Sequence, residues 1–192
     1  MKLLEDRIRK DGRILPGDVI KVDSFLNHLI DVDLVSKCAD EWYEIYKDAG
    51  VTKVLTIEAS GIALAAITAT KFNVPVLFAK KTRSSNLSPK TLSTKVVSYT
   101  HGQSYDVIVS RDYISPDDKV LIIDDFLANG SALRALVTLT EKAGATVVGI
   151  GIAVEKVYQG GGSDIRARGH RIDSLAKIKS IDVEKGIEFC ID

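Results

Sequence analysis

Val120-Leu121-Ile122-Ile123-Asp124-Asp125-Phe126-Leu127-Ala128-Asn129-Gly130-Ser131-Ala132 is the stretch from which the fold of this chain is read. Residues 119–123 form an apolar run that reads as a buried strand, and it ends in two carboxylates. A short loop of glycine and small side chains follows, and a helix begins at once. Its apolar positions are Leu133, Leu136, Val137 and Leu139, and Gly144 is its stop. The first N–H groups of such a helix have no partner inside it, and the helix dipole favours an anion there. Gly130 keeps that backbone accessible and Ser131 adds a hydroxyl. Carboxylates at the C-terminal edge of an open sheet can accept hydrogen bonds from the vicinal hydroxyls of a sugar. A phosphate cradle beside a diol acceptor is what a ribose 5-phosphate requires. The same acids also read as caps of an ordinary strand–turn–helix or as a magnesium pair, and the residues alone leave these open.

Working outward, residues 53–57 read as a short buried strand, Glu58-Ala59-Ser60-Gly61 as a tight turn, and residues 62–72 as a helix of small residues. Asn73 suits a left-handed cap, and residues 74–79 form the next strand. This β–turn–α–β unit argues for a parallel sheet. At the N-terminal end, Leu3, Leu4 and Ile8 have helical spacing and Gly12 stops them. Residues 13–30, with Pro16-Gly17, show no period. A second helix, capped by Asp31 or Asp33, carries Leu34, Val35, Cys38, Trp42, Ile45 and Tyr46 on one face and ends at Gly50, with Trp42 as a core anchor. Residues 80–93 are polar and aperiodic, a length that points to a functional or mobile loop. Residues 94–99 and 106–110 read as a hairpin joined through His101-Gly102-Gln103. Past the central segment, residues 146–154 form another apolar strand. Gln159-Gly160-Gly161-Gly162 reads as a flexible loop, residues 163–168 as a short helix, and residues 171–178 and 186–191 as closing strands.

Bulk properties exclude several classes. With 45% apolar and 27% charged residues, the chain of 192 is neither disordered nor membrane-embedded. Lysine plus arginine equals aspartate plus glutamate, 26 each, so no general pull toward nucleic acid or an anionic membrane exists. Phosphate binding must then come from a local site. Cys38 and Cys190 read as buried reduced thiols, without metal-type spacing. The acids Glu5 and Asp6 stand where a signal peptide would be apolar, and a cytoplasmic location is expected. His28, His101 and His170 are scattered and form no triad. Gly149-Ile150-Gly151 lies inside a strand pattern with Val154 where a dinucleotide motif needs its last glycine, and no Walker loop occurs.

The central segment resembles the phosphoribosyl pyrophosphate (PRPP) motif of type I phosphoribosyltransferases: apolar strand, two acids, apolar residues, then a small-residue glycine loop. Asn129 and Ala132 stand where that family usually has threonines. Ala128 stands where hypoxanthine-guanine members usually carry an aspartate, so that residue's role does not transfer. Val22 to His28, Thr56 to Gly61 and Ile123 to Gly130 together resemble the bacterial xanthine-specific members, over almost the whole chain. The resemblance implies an α/β fold with an open, mostly parallel sheet flanked by helices. It implies one domain over residues 1–192, with a small hood from about 1–35 and 155–192 on a core of about 36–154. It implies transfer of the 5-phosphoribosyl group from PRPP to xanthine, in purine salvage. The alternatives are guanine or hypoxanthine as acceptor, or a PRPP-sensing regulator with the same fold.

By the same resemblance Asp124 and Asp125 are the catalytic acids, and Ala128, Asn129, Gly130, Ser131 and Ala132 hold the phosphate. Ala59, Ser60 and Gly61 form the pyrophosphate loop, and Lys80 or Lys81 neutralises pyrophosphate. Residues 80–93 would close over the site. Ile20, Asn27 and Lys156 would contact the base, with Lys156 donating to the 6-oxo group and Asn27 to the 2-oxo group. Magnesium would be carried mainly by PRPP, with no metal site built from protein alone. A homodimer is implied, with neither nucleic acid nor membrane as partner.

Overall fold

The computed structural model describes residues 1–81, 90–97 and 104–191. Its centre is a six-stranded sheet built from β3 (Lys53–Ile57), β4 (Val76–Ala79), β7 (Lys119–Leu127), β8 (Thr146–Lys156), β9 (Ile172–Asp182) and β10 (Gly186–Phe189), in the order β10-β9-β8-β7-β3-β4. Every pair is parallel except β9 with β10. The fold is therefore α/β with a mostly parallel sheet, as the central segment predicts. The switch in direction of the strand order lies between β7 and β3, the position at which open sheets of this kind bind ligands.

Two apolar layers cover the sheet. On one face, α1 (Lys2–Asp11), α2 (Val32–Tyr46) and α3 (Gly61–Phe72) bury Leu4, Ile8, Val35, Trp42 and Leu64 against Leu121, Ile123 and Val154. On the other, α4 (Ser131–Lys142), α5 (Gly161–Ala167) and the antiparallel pair β5 (Thr91–Val97) and β6 (Ser104–Ser110) bury Leu133, Leu136, Ile165 and Val107 against Val120, Ile122 and Ile150. Fully burying side chains of this size stabilises by roughly 1.5–3 kcal/mol each. Among the described residues no helix is long and apolar enough to cross a membrane.

The glycines of β8 have a packing reason. A Cβ on Gly149 would stand 2.0 Å from Cε1 of Tyr46, and one on Gly151 would stand 2.8 Å from Trp42. These two glycines let α2 lie close on the sheet with its largest side chains fully buried. The Tyr46 hydroxyl then donates to Asp173 (2.6 Å) and accepts from the Ile150 N–H (3.2 Å). Cys38 shares this core, and burial pushes its thiol pKa up to about 12, which keeps it inert.

Several expectations are corrected. Residues 13–30 are not formless: β1 (Arg13–Leu15) and β2 (Val19–Lys21) form a ribbon, and Asp23–Asn27 make a π-helical turn. Gly17 at φ 82° and Asp18 at φ 59° turn the ribbon, a local signal masked by its shortness. The second helix ends at Tyr46, not Gly50; Asp31 is its cap, accepting from the Leu34 N–H at 3.1 Å. β5 starts at Thr91, so the aperiodic stretch 80–93 is shorter than expected; residues 82–89 and the expected turn at 101–103 lie outside the described residues. Gly161 and Gly162 belong to α5 and are buried, so the glycine run is no flexible loop. Cys190 is half-buried where a buried thiol is expected, because it follows the last strand of the sheet edge. Most consequentially, β7 does not end before the acids. Its pairing with β8 continues through Asp124↔Ile152 to Leu127↔Glu155, so both carboxylates lie inside a strand.

Gly149→Ala tests the packing account. The added methyl has no room beside Tyr46, and overpacking of this kind costs about 1–3 kcal/mol. Urea unfolding should show a lower midpoint with an unchanged slope; an unchanged midpoint would contradict the close α2–β8 contact.

Candidate active site

The site begins with the acids. Asp124 is 5% exposed and Asp125 7%. A buried carboxylate needs partners, and the two acids find different ones. Oδ1 of Asp124 accepts from the Asp125 N–H at 3.0 Å. A Cβ on Gly61 would lie 2.8 Å from that same oxygen and 2.1 Å from Oγ1 of Thr56, so the end of the β3–α3 turn sits directly against Asp124. The Thr56 hydroxyl is buried there and finds no hydrogen-bond partner among the described residues. Asp125 accepts from Nδ2 of Asn27 at 3.0 Å, across 98 residues of sequence.

Burial is the largest influence on Asp124 and raises its pKa well above the ordinary carboxylate value. The Asp125 charge and a hydrogen bond to Asp125 raise it further, against the Asp125 N–H and the Lys81 charge. Asp124 therefore holds its proton more readily than an ordinary carboxyl does. Tyr105 of β6 also belongs to this neighbourhood. Burial, and then the Asp124 charge, push its phenol above the usual range. Nothing in the local sequence of β6 marks that residue.

The β3–α3 turn is held from both sides. The Glu58 N–H donates to the Ala79 carbonyl (3.0 Å), and the Glu58 carboxylate accepts from the Lys81 N–H (2.7 Å). The Glu58–Ala59 peptide bond is cis. Ala59 is exposed, Ser60 half-buried and Gly61 buried. The two lysines diverge. Lys80 pairs through its backbone with Ile108 (2.9 Å each way) and lines a cleft shared with Phe78 and Tyr113, whereas the charge of Lys81 reaches Asp124.

The loop after β7 adopts the conformation the glycine predicts. Gly130 has φ 79°, a region costly for other residues. Asn129 is exposed, and its Oδ1 accepts from the Ser131 N–H at 3.0 Å, an Asx-type turn leading into α4. An anion arriving there would compete with that oxygen for the Ser131 donor. Ala128, Ser131 and Ala132 are half-buried. Arg134, which sequence reading missed, donates to the Asn129 carbonyl (3.0 Å) and pairs with Asp164 of α5 (3.0 Å).

The third group lies above the sheet edge. Ile20 is buried on the β1–β2 ribbon, and Nζ of Lys156 donates to the carbonyl of Asp18 in the turn of that ribbon (2.7 Å). Burial lowers the Lys156 pKa, partly countered by the Asp18 charge. Asn27, from the π-helical turn, stands nearer the acids. Glu155 does not hold its neighbour Lys156. It is buried and takes two hydrogen bonds of 2.7 Å from Arg166.

The raised pKa of Asp124 has a consequence for stability. A carboxyl whose pKa rises on folding binds more protons folded than unfolded between the two values, so stability falls as pH climbs through that window. Asp124→Asn copies the protonated form, which keeps the oxygen that accepts from Asp125 N–H. Its thermal midpoint should exceed that of the parent at pH 8, with the gap narrowing toward pH 4. A gap independent of pH would contradict the assignment of the raised value to Asp124.

With this geometry in place, comparisons with known proteins identify the family. Residues 22–188 match the phosphoribosyl transferase domain. A protein of Lachnoclostridium phytofermentans named xanthine phosphoribosyltransferase is 52% identical, covering 97% of this chain and 96% of that protein. One of the same name from Pseudomonas putida is 46% identical, covering 95% and 96%. Among solved structures, APRTase of Giardia lamblia in complex with 9-deazaadenine superposes with a TM-score of 0.76 at 24% identity, over 91% of this chain and 97% of that one. At that identity the likeness speaks for the fold. The acids in the strand, the glycine loop and the helix that follows it thus have a family as well as a geometry: this chain belongs to the phosphoribosyltransferases.

Proposed function

We propose that this chain transfers the 5-phosphoribosyl group of PRPP to xanthine, giving xanthosine 5′-monophosphate and pyrophosphate, a step of purine salvage. The observation that supports the reading best is the 3.0 Å hydrogen bond from Asn27 to Asp125, which joins the amide proposed to meet the base to the acid proposed to meet the sugar. The relatives that are about half identical over nearly the full chain bear the xanthine name and support the choice of base.

In this reaction the bond from ribose C1 to pyrophosphate breaks and a bond from C1 to a purine nitrogen forms. Positive charge develops on the sugar, and fixed negative charge beside it lowers the barrier. Asp124 and Asp125 supply that charge and accept from the ribose hydroxyls. The N–H groups of Ala59, Ser60 and Gly61 face the departing pyrophosphate, and Lys81, whose charge already reaches Asp124, neutralises it in preference to Lys80. Ala128, Asn129, Gly130, Ser131 and Ala132 hold the 5′-phosphate at the start of α4. Magnesium fits this chemistry: the acidic pair offers hard oxygen donors to an ion that travels with PRPP and neutralises phosphate charge.

Base choice rests with the hood and Lys156. An ammonium has three donors and an amide two. Lys156 can therefore keep its bond to Asp18 and still donate to the 6-oxo group. Asn27 likewise can keep Asp125 and donate to the 2-oxo group. Because an ionised carboxylate only accepts, Asp125 fixes which end of the Asn27 amide faces it. That tether opposes the rotation that would let Asn27 accept from a 2-amino group. Ile20 supplies apolar surface beside the base. A homodimer in the cytoplasm completes the reading and is carried by the family alone.

Product formation from PRPP, magnesium and each of xanthine, guanine, hypoxanthine and adenine tests it. The kcat/KM for xanthine should exceed that for guanine by about 100-fold or more; a preference for guanine or hypoxanthine would overturn the base assignment. Lys156→Met should raise the KM for xanthine about tenfold, the loss of roughly one charged hydrogen bond, with the KM for PRPP little changed. Lys81→Ala should reduce kcat far more than Lys80→Ala; equal effects would remove Lys81 from its role.

A further inference from the structure

We propose that α5 is a buttress for the phosphate loop, and that the pair of buried Glu155 with Arg166 is the positioning element that sets its depth. This rests on the reading of residues 128–132 as the holder of the 5′-phosphate. The observations form a chain of contacts. The Gly161 N–H, at the start of α5, donates to the Ala128 carbonyl at 3.1 Å. A Cβ on Gly161 would lie 2.4 Å from the Ala128 carbonyl oxygen and 2.5 Å from both the Asn129 carbonyl carbon and the Gly130 nitrogen. The two backbones are therefore flush, and only glycine permits the contact. From the other side, a Cβ on Gly130 would lie 3.1 Å from Cα of Gly161.

What holds α5 in that place is Glu155. Its carboxylate is 1% exposed and lies in β8, one residue before the strand's end at Lys156. Arg166 of α5 grips both its oxygens at 2.7 Å, and the Ser174 hydroxyl of β9 donates to one of them. Burial would raise the Glu155 pKa, but the bonds from Arg166 and Ser174 outweigh it, so the acid stays charged. A Cβ on Gly162 would lie 2.0 Å from Oε1 of Glu155. Gly161 thus fits the loop and Gly162 fits the anchor. The outer side of α5 is tied by Asp164 to Arg134, which in turn holds the Asn129 carbonyl. Loop, α4, α5 and the end of β8 form one closed circuit. Moving the anchor moves the loop donors, and donors aimed at a phosphate lose their value within about an ångström.

A group that holds the 5′-phosphate equally before and during reaction sets the KM for PRPP and leaves kcat alone. Steady-state kinetics with PRPP and xanthine should therefore be compared for the parent, Gly161→Ala, Glu155→Gln and Asp164→Asn. Lys53→Met, which removes the ion pair with Asp118 at the start of β3, the opposite end of the strands from this circuit, serves as the control for lost stability. We expect the KM for PRPP to rise about tenfold in Gly161→Ala and Glu155→Gln and about threefold in Asp164→Asn. The KM for xanthine and kcat should stay within about twofold, and Lys53→Met should lower the thermal midpoint without moving the KM for PRPP. Asp164 is partly exposed, so its variant keeps the test alive if the buried ones do not fold. An unchanged KM for PRPP in the folded variants overturns the buttress, as does a joint rise of both KM values. Absence of turnover in the parent would instead sink the proposed reaction.

Discussion

Two adjacent carboxylates buried inside a parallel strand are the constraint around which this molecule is arranged. Isolated charges in such a place cost several kcal/mol each. The surrounding structure answers that cost with specific partners: the Asp125 N–H for Asp124, the Asn27 amide for Asp125, and the charge of Lys81 nearby. Each partner comes from a different place, namely β7 itself, the π-helical turn and the second residue after β4. The acids therefore draw the π-helical turn, the sheet and the β3–α3 turn to one point. A ribose diol set there would take over hydrogen bonds that the protein already organises.

Glycine works at the same point as a spacing device. Gly61 lets the β3–α3 turn touch Asp124, Gly149 and Gly151 seat α2, and Gly161 and Gly162 seat α5 between the phosphate loop and Glu155. In each case the absence of a Cβ sets a distance between two backbones or between a backbone and a side chain. Flexibility is not the use made of these residues.

Much of this was legible in the sequence because it is local. The strand at Lys53–Ile57 has the bounds its apolar run predicts, and Asn73 takes the left-handed cap at φ 54°. The glycine loop and helix after β7 follow from residues that are neighbours in the chain. What could not be read is set by contacts between distant segments. Glu155 with Arg166, Arg134 with Asp164, Lys156 with Asp18, and Tyr105 near Asp124 carry no local pattern. The strand end was misread for a related reason: carboxylates break an apolar run in sequence, but the β8 ladder continues past them. The three-glycine run looked like slack because composition reports freedom, not neighbours.

The most direct measurement is the ionisation of the acidic pair itself, followed by 13C NMR of aspartate-labelled protein with and without PRPP and magnesium. The account predicts one carboxyl, lost in Asp124→Asn, that titrates well above the ordinary range. It also predicts that PRPP shifts the Asp124 and Asp125 signals before those of any other aspartate. Ordinary titration of every carboxyl, with PRPP leaving both signals in place, would contradict it.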